Sequence, residues 1–128
     1  MSKRILYVED NYNNMLLMKR IVEAEGHELL TSVDGEGGWS IASEEIPDLI
    51  FVDLRLPGDM DGFELLQRIK SDFDLQHIPV VVLTAGGSSD AEEQARGYSC
   101  DGFLQKPADI REIRALIRKY LGQDRTAY

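Results

Sequence analysis

Short apolar runs rich in β-branched residues alternate along the chain with segments in which apolar residues recur at helical spacing. A continuous apolar run is typical of a strand covered on both faces, whereas a spacing of three and four residues indicates an amphipathic helix. The pattern predicts five strands, at residues 3–8, 27–33, 48–53, 78–84 and 102–106. A helix is predicted after each strand, at about 13–25, around 39–42, around 63–69, at about 89–96 and at 110–121.

Five alternations of strand and helix imply a parallel sheet with helices on both faces and right-handed crossovers. The segment at 27–33 is more polar than the other strands, which predicts an edge position. A chain of 128 residues is long enough to bury one core without disulfides or metals. We therefore predict a single doubly wound α/β domain over residues 1–128. It should be structured from about 3 to 121, with a short tail at 122–128 and no output domain.

The charge of the chain narrows the choice of partners. There are 23 acidic against 14 basic residues, which gives a formal net charge of −9. Such a field repels phosphate backbones and argues against nucleic-acid binding by this chain alone.

The single cysteine excludes an internal disulfide and fits a reducing compartment. No apolar run approaches the roughly 20 residues of a membrane span, and the start has no signal-peptide layout, so we expect a cytoplasmic protein.

Polar side chains with potential chemistry follow four of the predicted strands. Glu9 and Asp10 follow the first strand, Asp53 ends the third, Thr84 ends the fourth and Lys106 ends the fifth. The carboxyl ends of parallel strands lie at one edge of a sheet, where open α/β sheets bind their ligands. Three carboxylates that converge there would repel one another strongly without a hard cation, and ligands that are all oxygen point to Mg²⁺.

A carboxylate held beside such a cation can attack an activated phosphoryl group and form an aspartyl phosphate. Phosphoryl transfer requires positioning and charge neutralisation, with Mg²⁺ on one side of the incoming oxygens and an ammonium group on the other. Lys106 supplies the ammonium group, and the Thr84 hydroxyl can hydrogen-bond a phosphoryl oxygen. The pattern therefore indicates phosphoryl chemistry at this edge of the sheet.

Four motifs in order along the chain, ILYVEDN, DLIFVDLRLPGDMDGFEL, IPVVVLTA and GFLQKP, resemble those of the receiver domain of two-component response regulators. The resemblance covers essentially the whole chain. It implies a flavodoxin-like fold, a five-stranded sheet in the order 2-1-3-4-5 with five flanking helices. It also implies a phosphoacceptor signalling protein rather than a turnover enzyme, one that promotes its own phosphorylation and its slow dephosphorylation.

The resemblance assigns roles position by position. Asp53 is the implied phosphoacceptor, and Lys106, before a typically cis bond to Pro107, pairs with the phosphate. Thr84 is the implied switch hydroxyl and Phe103 the aromatic residue that turns inward on activation. The implied Mg²⁺ ligands are Glu9, Asp10, Asp53 and the backbone carbonyl of Arg55.

The same resemblance implies the partners. A histidine kinase or a histidine phosphotransfer protein would donate the phosphoryl group. A downstream protein would then bind the face formed by the fourth helix, the fifth strand and the fifth helix. We expect a stand-alone receiver, and a phosphate shuttle within a phosphorelay is a variant of this interpretation.

The chain departs from the family pattern in two places. The loop from Leu56 to Gly62 is one residue longer than the common spacing between the proline and the Asp-Gly pair. Arg55 and Gly86, each two residues after a site residue, stand where other members often carry an acid or amide that could orient a hydrolytic water. Guanidinium has donors only and glycine has no side chain. We hypothesise that Arg55 clamps the phosphoryl group and that dephosphorylation is slow.

Two other functions fit parts of the pattern. An aspartate-nucleophile phosphatase would carry its nucleophile on the first strand and a second acid two residues later, where this chain has Arg55 after Asp53. A flavodoxin-like cofactor protein would place a flavin phosphate in a crevice that is acidic here and therefore repels it. A phosphoesterase assay and the colour of the purified protein, respectively, would distinguish these alternatives from a receiver.

Overall fold

In the computed structural model, which describes residues 2–85 and 100–122, five parallel strands form one sheet in the order β2-β1-β3-β4-β5. This order confirms the one implied by the resemblance, and the polar strand β2 lies at an edge as predicted. The strands are β1 (Arg4–Val8), β2 (Glu28–Ser32), β3 (Leu49–Asp53), β4 (Val80–Ala85) and β5 (Gly102–Lys106).

Four helices lie within the described ranges: α1 (Tyr12–Ala24), α2 (Gly35–Glu45), α3 (Gly62–Ser71) and α4 (Ile110–Leu121). The remaining predicted helix, the fourth along the chain at about 89–96, falls outside those ranges. An Asn or Asp side chain caps every helix described, by accepting a backbone N–H from the first turn; these residues are Asn11, Asp34, Asp61 and Asp109. None of the four helices is long and apolar enough to cross a bilayer.

Strand ends differ from the predicted ones by one or two residues for local reasons. β4 begins at Val80 rather than Ile78, because Pro79 has no N–H to donate to the ladder and contributes only its carbonyl, which accepts from Ile50 N–H at 3.0 Å. The register that follows pairs Asp53 with Leu83 and Thr84 with Gln105. The carboxyl ends of β3, β4 and β5 are therefore level with one another.

The core consists of two apolar layers, one on each face of the sheet. Alternate residues of each strand point into opposite layers, and Phe51 and Val52 of β3 are both fully buried. One layer packs under α2 and α3 and the other under α1 and α4. Both faces of the strands are covered, which is why their sequences are continuous apolar runs rather than alternating ones.

Helix α3 begins against the end of β3. A Cβ atom at Gly62 would lie 2.3 Å from the Asp53 carbonyl oxygen and 2.6 Å from Leu54 Cα. The Gly62 N–H also donates to the Leu54 carbonyl at 3.2 Å. Only glycine permits this approach, which brings the first turn of α3 directly onto the backbone that carries Asp53.

Candidate functional site

The carboxyl edge of the sheet gathers buried polar side chains. Glu9, which follows β1, is fully buried, whereas its neighbour Asp10 is exposed. Asp53 at the end of β3 and Thr84 near the end of β4 are each only 4% exposed. We call Glu9, Asp10 and Asp53 the acidic cluster.

Lys106 at the end of β5 reaches across the edge to two of these carboxylates. Its Nζ atom lies 3.1 Å from Oε1 and 3.3 Å from Oε2 of Glu9, and it donates a hydrogen bond to Oδ2 of Asp53. The following Lys106–Pro107 bond is cis, as the resemblance implies. The Lys106 ammonium group thus joins Glu9, 97 positions earlier in the chain, to Asp53, 53 positions earlier.

Two further donors orient the carboxylates. Asn14 in the first turn of α1 donates from Nδ2 to Glu9 Oε1 at 2.6 Å, and the Arg55 N–H donates to Asp53 Oδ1 at 3.0 Å. Sequence analysis missed Asn14. Its only signal was a polar residue in the first helical turn after a strand that ends in acids, and that signal is common at helix starts. Each oxygen of Asp53 therefore has a donor of its own.

The pKa values of Glu9 and Asp53 in the acidic cluster are shifted in opposite directions. Burial, together with the adjacent Asp53, raises the pKa of Glu9 to about 7. Burial also opposes ionisation of Asp53, but hydrogen bonds with Glu9, Lys106 and the Arg55 N–H outweigh it and lower the pKa of Asp53. Burial likewise opposes the charge on Lys106, yet its two carboxylate partners raise its pKa. Below about pH 7 Glu9 therefore carries a proton, whereas Asp53 is an anion facing a cation.

The acidic cluster fits a hard divalent cation. One carboxylate oxygen from each of Glu9, Asp10 and Asp53 lies within 4.8 Å of the other two. The three carboxylates and the Lys106 ammonium carry −3 and +1, which leaves −2 when all are ionised. An oxygen-only donor set with that charge suits Mg²⁺. The backbone of Arg55 lies beside the cluster through its N–H, and the role of its carbonyl as a further ligand stays a prediction.

The two predicted switch residues lie on neighbouring strands. Thr84 follows Leu83, the partner of Asp53 in the register, so its backbone is one residue further toward the carboxyl edge. Phe103 pairs with Val82 and is partly buried against the layer under α2 and α3. Gly86 lies outside the described residues, as does the predicted fourth helix of the output face.

A cavity of about 350 Å³ opens beside Lys106, between α1 and the start of α4. Its lining includes Tyr7, Asn14, Leu17 and Pro107, so one wall belongs to the acidic edge and the other is apolar. Tyr7 is 2% exposed, and burial followed by the nearby carboxylates raises the pKa of its hydroxyl. The surface around the carboxyl edge is therefore partly apolar despite the net charge of the chain.

Comparison with known proteins gives a consistent result. The protein-family model described as the response regulator receiver domain matches residues 5–118 of this chain. The polar-differentiation response regulator DivK of Brucella ovis is 36% identical over 122 residues, which cover 95% of this chain and 98% of DivK.

Two solved structures have the same fold. The receiver domain of a sensor histidine kinase from Pseudomonas aeruginosa, with a magnesium ion in its active-site cleft, has a TM-score of 0.86 at 24% identity over 96% of this chain and 100% of its own. The Mn²⁺-bound form of response regulator Rcp1 has a TM-score of 0.82 at 30% identity. The match covers 93% of this chain and 94% of Rcp1. The match over residues 5–118 and the 36% identity to DivK establish that the chain belongs to the response regulator receiver domain family of two-component systems.

Proposed function

We propose that this receiver accepts a phosphoryl group on Asp53, in a Mg²⁺-dependent reaction, from a histidine kinase or a histidine phosphotransfer protein. The observation that carries the proposal is the environment of Asp53. Its carboxylate is almost completely buried at the end of a central strand, yet it is kept anionic by Lys106 and the Arg55 N–H. A desolvated anion held by fixed donors is a positioned nucleophile.

The proposed reaction moves a phosphoryl group from nitrogen to oxygen. A carboxylate oxygen of Asp53 attacks phosphorus, the phosphorus–nitrogen bond of the phosphohistidine breaks, and the imidazole nitrogen keeps the electron pair and takes up a proton. Lys106 balances charge on the transferred oxygens, because its ammonium already faces the attacking carboxylate. Mg²⁺ bound by Glu9, Asp10 and Asp53 would neutralise the remaining charge.

A protein donor must cover the surface around Asp53 in order to bring its phosphohistidine within bonding distance. In that region α1 exposes apolar side chains: Tyr12 is 73% exposed, Leu16 37% and Leu17 39%. Large exposed apolar side chains close together mark a surface used for protein contact. This supports a donor that packs an apolar helical face against α1 beside the cavity.

Phosphorylation would act as a switch by changing charge at the carboxyl edge. It adds roughly −1.5 to −2 charges and new acceptor oxygens, which attract the Thr84 hydroxyl and the Lys106 ammonium. A shift of Thr84 would make room for Phe103 on the adjacent strand and bias the β5–α4 side of the output surface toward a partner-binding state. Beryllofluoride, an acyl phosphate mimic, should therefore change the amide shifts around Phe103 when Mg²⁺ is present, and an unchanged spectrum would contradict the switch.

The phosphoacceptor is tested directly by incubating the protein with acetyl phosphate and mapping the modified peptide. We expect Mg²⁺-dependent phosphorylation on the peptide that contains Asp53, and none in Asp53→Asn. Asp59→Asn, which removes an exposed acid from the same loop, is the matched control and should be phosphorylated like the wild type. Phosphorylation that persists in Asp53→Asn, or that is absent from the wild type with Mg²⁺, would contradict the proposal.

Partners are found with the same two proteins. Phosphorylated wild type and Asp53→Asn, used as baits in parallel, should differ in the proteins they retain. A cytoplasmic location stays a prediction, supported by the single cysteine.

A further inference from the structure

The loop at residues 54–61, between β3 and α3, is held to α2 by Met60. The Met60 N–H donates to Oε1 of Glu36 at 3.0 Å. Its side chain is 5% exposed and packs in the layer under α2 and α3. A Cβ atom at Gly35 would lie 2.5 Å from the Met60 carbonyl oxygen, so the first turn of α2 rests directly on this peptide. Met60 thus contacts α2 through its N–H on Glu36, through its buried side chain and through its carbonyl beside Gly35.

The loop turns at Gly58, two residues before this attachment. Gly58 has a φ of 89°, a left-handed conformation that suits glycine, and both Gly58 and Asp59 are exposed. A Cβ atom at Gly58 would lie 3.2 Å from Oε2 of Glu36. The Glu36 carboxylate therefore lies close to the loop at Gly58 and also accepts the Met60 N–H.

The other end of the loop lies at the acidic cluster. The Arg55 N–H donates to Asp53 Oδ1 at 3.0 Å, and the Gly62 N–H donates to the Leu54 carbonyl at 3.2 Å. Four residues separate Met60 from Arg55 and one separates it from Gly62, so the Met60 attachment lies in the same short loop as both anchors. The Arg55 backbone donates to Asp53, and its carbonyl is the further Mg²⁺ ligand that the resemblance implies.

We propose that Glu36 is a positioning residue for the phosphoryl and Mg²⁺ site. By accepting the Met60 N–H, its carboxylate holds the lengthened loop against α2 and keeps the Arg55 backbone beside Asp53. The inference rests on the proposed function, because it concerns the geometry of that same site. A purely local role of Glu36 would be stabilisation of the N-terminus of α2, which depends on negative charge rather than on a hydrogen bond to the loop.

The experiment compares Glu36→Ala, Glu36→Gln and Glu44→Ala with the wild type. Glutamine keeps an acceptor oxygen without the charge, and Glu44→Ala removes the same charge from an exposed position near the other end of α2. Two quantities are measured: hydrogen exchange of the Met60 amide and the Kd for Mg²⁺. We expect Glu36→Ala to raise both the exchange rate and the Kd about fivefold, the value of one hydrogen bond. Glu36→Gln should stay within about twofold and Glu44→Ala should match the wild type.

Each other result overturns the inference. Wild-type Kd in Glu36→Ala would show that the loop does not position the site. Equal loss in Glu36→Gln and Glu36→Ala would show that charge alone matters, and an unchanged exchange rate for Met60 would show that the hydrogen bond does not hold the loop. Failure of the proposed function is separate, because it would be seen in the wild type as absence of Mg²⁺ binding and of phosphorylation on Asp53.

Discussion

Replacement of Gly62 by alanine tests how closely α3 approaches the site strand. The added Cβ would lie 2.3 Å from the Asp53 carbonyl oxygen, 0.7 Å closer than the 3.0 Å below which real Cβ contacts essentially never occur. The clashing atoms belong to backbone, so no side chain can rotate away. The helix must move outward, which loosens the packing of its buried residues Leu65, Leu66 and Ile69 on the sheet.

The expected magnitude follows from two opposing effects. Overpacking against rigid surroundings costs about 3 kcal/mol, and alanine gains about 1 kcal/mol over glycine in a helix. We expect Gly62→Ala to lower the free energy of unfolding by about 2 kcal/mol. Because the crowded backbone atoms belong to Asp53 and Leu54, we also expect slower phosphorylation by acetyl phosphate.

Gly37→Ala is the matched control, since it makes the same change in the first turn of α2. There the two nearest atoms to the added Cβ are side-chain oxygens rather than backbone: Ser32 Oγ at 2.5 Å and Asp34 Oδ1 at 2.9 Å. We expect a free energy of unfolding within about 1 kcal/mol of the wild type. Urea unfolding followed by fluorescence of Trp39, the only tryptophan, gives all three values. A Gly62→Ala protein as stable as the wild type, or no less stable than Gly37→Ala, would refute the reasoning.

Three further predictions follow from other positions. Since the pKa of Glu9 is raised to about 7, a proton competes with Mg²⁺ below that pH. The Kd for Mg²⁺, measured by calorimetry, should rise about tenfold from pH 8 to pH 6, and a flat profile would contradict this competition. Arg55→Asn should shorten the lifetime of the aspartyl phosphate in Mg²⁺, because an amide can orient a hydrolytic water and guanidinium cannot; an unchanged decay rate would remove the clamp hypothesis. Ile46 follows the last residue of α2 with a φ of 45°, a left-handed conformation that asparagine adopts more readily than isoleucine. Ile46→Asn should therefore raise the free energy of unfolding in urea by about 1 kcal/mol. A free energy of unfolding no higher than that of the wild type would show that no strain is relieved there.

Much of the fold could be predicted because its signals are local. Continuous apolar runs predicted the five strands to within two residues, and the Asp109 cap with helical spacing predicted α4 from Ile110 to Leu121. The order of the strands required the resemblance, since hydrophobic periodicity does not say which strands are neighbours. Strand ends such as Asp53 and Lys106 could be placed at one edge because parallel strands share a direction.

Other features of the site depend on distance in space. Asn14 reaches Glu9, and Glu36 reaches Met60 across 24 positions of sequence, through contacts that no spacing rule predicts. The pKa of Glu9 likewise depends on burial and on its distance from Asp53, which exist only in the folded chain.

The sequence by itself determined the five strands, the four helices of the described ranges, the chemical groups at the strand ends and the family to which they point. Only the tertiary structure decided which of those groups touch: Lys106 against both Glu9 and Asp53, with Asp10 left exposed. The physical reason is that periodicity and capping act over a few residues along the chain. Electrostatic coupling and hydrogen bonding act over a few ångströms, between residues that folding alone brings together.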